Sequence, residues 1–322
     1  MKILITGIDG FIASHLADHI LAENKDAEIY GTIRRMADRK NMAHLADKVN
    51  LIDMELVDMN SVLNAVKTAQ PDKIFHLAAQ SFVPTSWTAP GSTLETNVIG
   101  TSNLLEAART YAPSAFIQIA GSSEEYGLVL PEECPITEDQ PLRPLSPYGV
   151  SKVATDRLGY QYAKSYNMNI LVTRTFNQVG PRRGVMFVDS NWAKQIVDIE
   201  REKYPPTIYH GNLDAVRDFT DVRDSVRAYW MLSNMKKNHN GDVVQVCSGE
   251  GHKMENVLST LINLTNSPMA ISSCDDPNRY RPSDVPLLVG SNKKLRSLID
   301  WKPEIPFIKS MDDLLGYWRS QK

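Results

Sequence analysis

Cysteine is scarce in this chain: Cys134, Cys247 and Cys274 are the only three, widely spaced and without a C-x-x-C pair. That excludes a disulfide framework and a thiolate zinc ribbon, and it predicts a reduced, cytoplasmic protein. No charge sign dominates either. Lys and Arg total 35 against 38 Asp and Glu, a net charge of -3, which excludes an electrostatic nucleic-acid footprint and makes any anion site local. Long hydrophobic runs are missing: Met1-Lys2 leads into an apolar stretch too short for a signal segment or a membrane span, so neither secretion nor a membrane partner is expected. The seven histidines form no H-E-x-x-H set; His15 and His19 share a helix face but lack further ligands, and no metal is expected.

What is present is ordinary globular usage, 42% hydrophobic and 23% charged over 322 residues, enough for a sizeable core. Short apolar or β-branched runs predict strands at 2–6, 28–33, 49–53, 73–77, 115–120 and 169–175. Between them, apolar residues at three- and four-residue spacing predict helices at 11–23, 61–68, 93–111 and 148–166. This alternation predicts βαβ units and an α/β fold, a Rossmann-type doubly wound parallel sheet. After residue 176 the loops become rich in Pro, Arg and Asn and the strands shorten, as at 243–247. The expected organisation is a dinucleotide-binding domain over 1–176 and a smaller substrate lobe over 177–322, with the chain of the second returning to the first.

The string Thr6-Gly7-Ile8-Asp9-Gly10-Phe11-Ile12-Ala13 follows the first strand and opens the first helix. Gly7 permits a tight turn, Gly10 lets backbone approach a pyrophosphate, and Ala13 allows close helix–strand packing, so Gly7, Asp9, Gly10, Phe11 and Ile12 are candidate cofactor positions. An NAD-preferring site carries an acidic residue at the end of the second strand. Here that strand ends in Arg34-Arg35, whose guanidiniums suit a 2′-phosphate, so NADP is the expected cofactor and NAD the alternative. Asp58 and Met59, after the third strand, are placed to meet the adenine edge.

In Ser146-Pro147-Tyr148-Gly149-Val150-Ser151-Lys152, a Tyr and a Lys fall on one face of a predicted helix. An ammonium that favours phenolate makes a Tyr usable as an acid or base, although the same spacing also describes a packed ring beside a solvated amine. Upstream, Gly121-Ser122-Ser123-Glu124-Glu125-Tyr126-Gly127 sits at the carboxyl end of a parallel strand, where open α/β sheets bind ligands. Ser122 there can hydrogen-bond a carbonyl oxygen beside Tyr148.

With His76-Leu77-Ala78-Ala79-Gln80-Ser81 and Thr175-Phe176-Asn177-Gln178-Val179-Gly180-Pro181, these blocks resemble the extended short-chain dehydrogenases and, within them, the GDP-sugar branch. The resemblance implies cofactor contacts from Leu77, Ala78, Ala79, Gln80, Asn97, Tyr148, Lys152, Gln178 and Arg183. It implies substrate contacts from Ser81, Ser123, Asn177, Val188 and Lys194, with Arg217 and Arg281 clamping the diphosphate of a GDP-linked sugar. It also implies a homodimer through a four-helix bundle, with a tetramer as the alternative.

Two neighbouring activities resemble the chain in different blocks. The strings from Gly121, Thr173 and Arg217 look like a GDP-4-keto-6-deoxymannose reductase; Gln80-Ser81, Arg34-Arg35 and Pro181-Arg182-Arg183-Gly184 look like a GDP-mannose 4,6-dehydratase. Glu124 matches the dehydratase base for the sugar C5 proton, while Ser122 stands where the dehydratase usually has Thr. The leading expectation is an NADPH-dependent 4-ketone reduction giving a GDP-6-deoxyhexose of the rhamnose type, with the dehydratase (a lyase using tightly bound NADP) second. A catalytically silent dinucleotide sensor is third, disfavoured because Tyr148 and Lys152 are both present.

Overall fold

The computed structural model describes residues 1–321. The first half runs β1 (Lys2–Thr6), α1 (Phe11–Glu23), β2 (Glu28–Ile33), β3 (Asn50–Asp53), α2 (Met59–Ala69), β4 (Lys73–His76), α3 (Val83–Thr88), α4 (Pro90–Leu94), α5 (Gly100–Tyr111), β5 (Phe116–Ser122), α6 (Pro147–Tyr166) and β6 (Asn169–Thr175). The second runs β7 (Asn177–Val179), α7 (Val188–Glu200), β8 (Thr207–His210), β9 (Val216–Asp221), α8 (Val222–Ser233), β10 (Asp242–Val246), β11 (Gly251–Lys253), α9 (Met254–Asn263), β12 (Ser272–Asp275), β13 (Leu287–Leu288), α10 (Lys293–Leu298) and α11 (Phe307–Ser320). Seven parallel strands form the main sheet in the order β10-β6-β5-β4-β1-β2-β3. The order reverses between β1 and β4, the switch point at which such sheets open a crevice for a ligand. Ile74 and Phe75 of β4 are fully buried because helices cover both faces. On one face α2, α5 and α6 pack through Val62, Leu104 and Tyr162; on the other α1 and α8 pack through Leu16, Ile20 and Val226.

β10 joins this sheet beside β6, and α8 packs on α1, so residues beyond 176 complete the first layer. The rest of the second half builds a small sheet, β11-β9-β13 with β7 also on β9, and a parallel β8–β12 pair. Trp192, Met254, Met311 and Leu314 fill a separate core between α7, α9 and α11.

One predicted helix is corrected. Residues 93–111 are not continuous: α4 ends at Leu94, Glu95–Ile99 form a π turn, and α5 begins at Gly100. The wide turn is held by tertiary bonds that local spacing does not reveal. Asn97 Nδ2 donates to the Gln80 carbonyl at 3.0 Å and to Ser151 Oγ at 2.9 Å. Gly100 adds to the constraint, since a Cβ there would stand 2.8 Å from Leu56. Single π turns of this kind cluster at functional sites.

Candidate active site

The glycine turn forms a cradle of backbone. Gly7 sits at φ +67°, and a Cβ on it would meet Ala78 at 3.1 Å. Gly10 begins α1 with no side chain capping it and no acidic residue in the first turn, so the first helix N–H groups are free for an anion. Thr6 Oγ1 accepts from the N–H groups of Leu77 and Ala78, both at 3.0 Å, and this locks the end of β4 against the turn. The site is wide enough and rightly polarised for a dinucleotide pyrophosphate. Arg34 and Arg35 follow β2 as exposed side chains with no ion pair among the described residues. Burial raises the Asp9 carboxyl above its ordinary range, opposed by a backbone hydrogen bond and by the charge of Arg34. Asp58 Oδ1 caps α2 by accepting from the Asn60 N–H at 3.0 Å, and Met59 is that helix's first residue.

The catalytic candidates converge where β5 ends. Ser146 caps α6 by accepting from the Gly149 N–H at 3.0 Å, and Pro147 pre-sets the first turn. That fixes Tyr148 in the first turn, buried and close to Ser122. Burial drives the Tyr148 hydroxyl well above the usual phenol range, opposed by nearby Ser122. Lys152 lies one turn on, its Nζ 5.8 Å from the centre of the Tyr148 ring and donating to the Ala120 carbonyl at 2.7 Å. Burial lowers its ammonium to about 8, with Glu125 pulling it back up. The arrangement holds a proton on a phenol beside a cation able to stabilise the phenolate left behind.

Glu124 is half-buried and its carboxylate has no partner among the described residues. Its charge is felt at both Tyr148 and Arg217, so it lies near both. Arg217, buried on β9, donates Nη2 to Asp284 Oδ1 at 2.9 Å. Burial lowers its guanidinium, opposed by Asp284 and Glu124, and the charge of exposed Arg281 lowers it further, so two cations stand near two carboxylates, of which only Asp284 is bonded to Arg217. Gln178 leaves Oε1 buried and unpaired while its Nε2 faces the Tyr229 hydroxyl. Arg183 is packed between Phe11 and Phe187 and donates to Asp189 at 2.9 Å.

Other expected contacts are placed differently. The Gln80 side chain is used internally, on Phe82 and Thr93, and the Asn97 amide is used on Gln80 and Ser151; both act as braces rather than open contacts. Leu77 and Ala78 line the turn through their backbone, and half-buried Ala79 follows them. Ser81 is exposed, Ser123 is buried in the turn after β5, and Asn177 opens β7. Val188 is exposed at the start of α7, but Lys194 is not brought to the cleft: its amine pairs with Asp198 beside Arg201 and Trp318. A helical turn beyond Val188 carries it towards α11. The residue that instead ties α7 to the 276–281 segment is Asn191, which accepts from Arg279 Nη1 at 3.0 Å.

Comparison with known proteins gives the family. A family model described as GDP-mannose 4,6 dehydratase matches residues 4–314. The chain is 29% identical to the GDP-6-deoxy-D-mannose reductase of Pseudomonas aeruginosa over 320 residues, 99% of this chain and 98% of that protein. It is 30% identical to the GDP-mannose 4,6-dehydratase of Yersinia enterocolitica over 340 residues, 94% of this chain and 90% of that protein. The solved structure of RMD from Pseudomonas aeruginosa complexed with NADPH superposes with a TM-score of 0.84 at 28% identity, covering 99% of both chains. The chain therefore belongs to the GDP-mannose 4,6 dehydratase family, within the extended short-chain dehydrogenases.

Proposed function

We propose that this protein reduces the C4 ketone of GDP-4-keto-6-deoxy-mannose with NADPH, giving a GDP-6-deoxyhexose of the rhamnose type. The observation that carries catalysis is buried Tyr148 beside Ser122, with Lys152 one helical turn away. The choice of reaction is supported by the length match, 98% of the reductase relative against 90% of the Yersinia dehydratase, and by the Gly121–Gly127 string. Gly7, Gly10 and the free α1 amides would hold the pyrophosphate, Lys152 the ribose and Gln178 the carboxamide. Bound NADPH supplies the hydride. Ser122 orients the ketone oxygen, Tyr148 donates its proton to that oxygen as alkoxide character develops, and the Lys152 ammonium stabilises the resulting phenolate. Arg217 and Arg281 take the substrate diphosphate in place of Asp284. Exposed Ile99, Val150, Tyr160 and Tyr166 beside α5 and along α6 support a homodimer.

Unpaired Glu124 favours one second reading, the 4,6-dehydratase, in which this carboxylate removes the C5 proton. The two separate cleanly. NADPH consumed stoichiometrically with the 4-keto-6-deoxy sugar, and GDP-mannose left unchanged by catalytic NADP, is the result expected for the reductase. The reverse pattern overturns it. Glu124→Gln is expected to keep reductase turnover within about tenfold, whereas as a lost general base it costs about 10²–10⁴-fold.

The double substitution Arg34→Ser, Arg35→Ser removes the charged partners offered to a 2′-phosphate. Charge-assisted hydrogen bonds contribute about 1.5–3 kcal/mol, so the NADPH-over-NADH preference is expected to fall by about 10- to 100-fold. Fluorescence titration with each cofactor reads it; an unchanged ratio places the 2′-phosphate elsewhere.

A further inference from the structure

Beneath the catalytic group lies a buried ion cluster that the reaction as described does not use. Glu125 is fully buried, and its two oxygens face different ways. Oε1 accepts the Ser122 backbone N–H at 2.8 Å; Oε2 accepts from Arg174 Nε at 3.2 Å. Arg174 on β6 is shared with Asp156 of α6, at 2.8 Å from Nη2, and also donates to Tyr126 and to the Glu138 carbonyl. Two carboxylates thus meet one buried guanidinium. Arg157 pairs with Asp156 at 2.6 Å but stands half in solvent, where its charge is screened. The remaining charged or titratable groups around Glu125 are Lys152 and Tyr148 from α6 and Glu124 from its own turn. Gly121 is required alongside, because a Cβ there would come 2.7 Å from Glu125 Oε1.

We propose that Glu125 is a positioning residue for the catalytic group, one buried carboxylate that both pins the backbone of Ser122 and retains the proton on Lys152; this rests on the hydride-transfer reading above. Ser122 carries the hydroxyl that meets Tyr148, so fixing its N–H fixes that hydroxyl. The negative charge left over by the single Arg174 is the one that Lys152, buried and bonded among the described residues to the Ala120 carbonyl, requires. Burial and Asp156 push the Glu125 carboxyl up, to about 8, while Arg174 draws it down. At alkaline pH it is therefore ionised, where Lys152 would otherwise lose its proton first.

Two substitutions separate the two tasks. Glu125→Gln keeps an oxygen for the Ser122 N–H but removes the charge, so the alkaline limb of the pH–rate profile, and of NADPH affinity against pH, is expected to move about one pH unit lower. Glu125→Asp keeps the charge but shortens the arm, so turnover falls about tenfold or more with the limb unmoved. Asp156→Asn, which is not bonded to Ser122, leaves the limb at or above its original pH. An unmoved limb in Glu125→Gln, or an equal downward shift in Asp156→Asn, overturns the proposal. Should Glu125→Gln not fold, Glu125→Asp decides: a shifted limb there sinks the idea, and an unshifted limb with slow turnover supports it. If neither sugar is turned over by the unaltered protein, the proposed reaction fails, while the pH dependence of NADPH affinity still judges Glu125.

Discussion

Tyr148→Phe is expected to lower turnover on the 4-keto sugar by about 10²–10⁴-fold, the usual contribution of a positioned general acid, with NADPH affinity nearly unchanged. The substitution removes one oxygen and little else. The ring stays packed in the first turn of α6, whose cap by Ser146 does not involve it. Ser122 Oγ still accepts from the Glu124 N–H at 3.2 Å, so it is not left without a partner. Folding stability should therefore change by no more than about 1 kcal/mol. Lys152 keeps its bond to the Ala120 carbonyl and its remaining N–H groups for the cofactor. Single-turnover absorbance with the keto sugar and a separate cofactor titration distinguish a chemical loss from a binding loss. Undiminished turnover would remove Tyr148 from the chemistry under both the reductase and the dehydratase reading, since each routes a proton through the same phenol.

Much of this site was legible because its parts occur where local pattern and global fold coincide. The predicted ranges 2–6, 28–33, 169–175 and 11–23 coincide with β1, β2, β6 and α1, each a short apolar run or an amphipathic stretch bounded by a turn signal. The less legible features are those set by distant partners. The π turn at Glu95–Ile99 has ordinary helical spacing and is opened by Asn97 reaching to Gln80 and Ser151. In the small second sheet the strands around β9 have only two or three residues, too short to show alternation. Lys194 looked like a nucleotide contact by its position, yet α7 turns it to Asp198. Glu125 was hidden beside Glu124, as two adjacent acids of a turn with nothing local to say which faces the cleft. One signal did point to it: Arg174 is a charged residue in the middle of an apolar strand, and a buried guanidinium demands carboxylates.

Arg174→Leu is expected to destabilise the fold by about 3–5 kcal/mol, the cost of leaving buried charges without their counter-ion. Arg174 is 2% exposed and is the common donor to Glu125, Asp156, Tyr126 and the Glu138 carbonyl, so its loss strands two carboxylates between β5, β6 and α6. The Glu125 carboxyl, already raised by burial and Asp156, is raised further once Arg174 is gone. A group whose folded pKa is raised contributes stability that is fully present below its unfolded value and is lost as pH rises through the folded one. Both proteins therefore lose stability alike up to about pH 8, above which Glu125 of the unaltered protein is ionised beside Arg174 while the variant goes on losing stability, so the gap should widen at alkaline pH; urea unfolding at acid and alkaline pH measures the gap. An equal loss at both would mean that the side chain's packing, not its charge, is what matters. Replacing Glu125, Asp156 and Arg174 together by leucine provides the contrast, because an apolar substitute for a whole buried ion cluster is often neutral or stabilising by about 1–4 kcal/mol. Such a triple variant would be stable and slow. Its Ser122 amide would have lost the Glu125 oxygen, and its Lys152 would shed a proton at lower pH. A cluster that can be removed without loss of folding but not without loss of turnover is retained for the geometry and charge of the catalytic group above it.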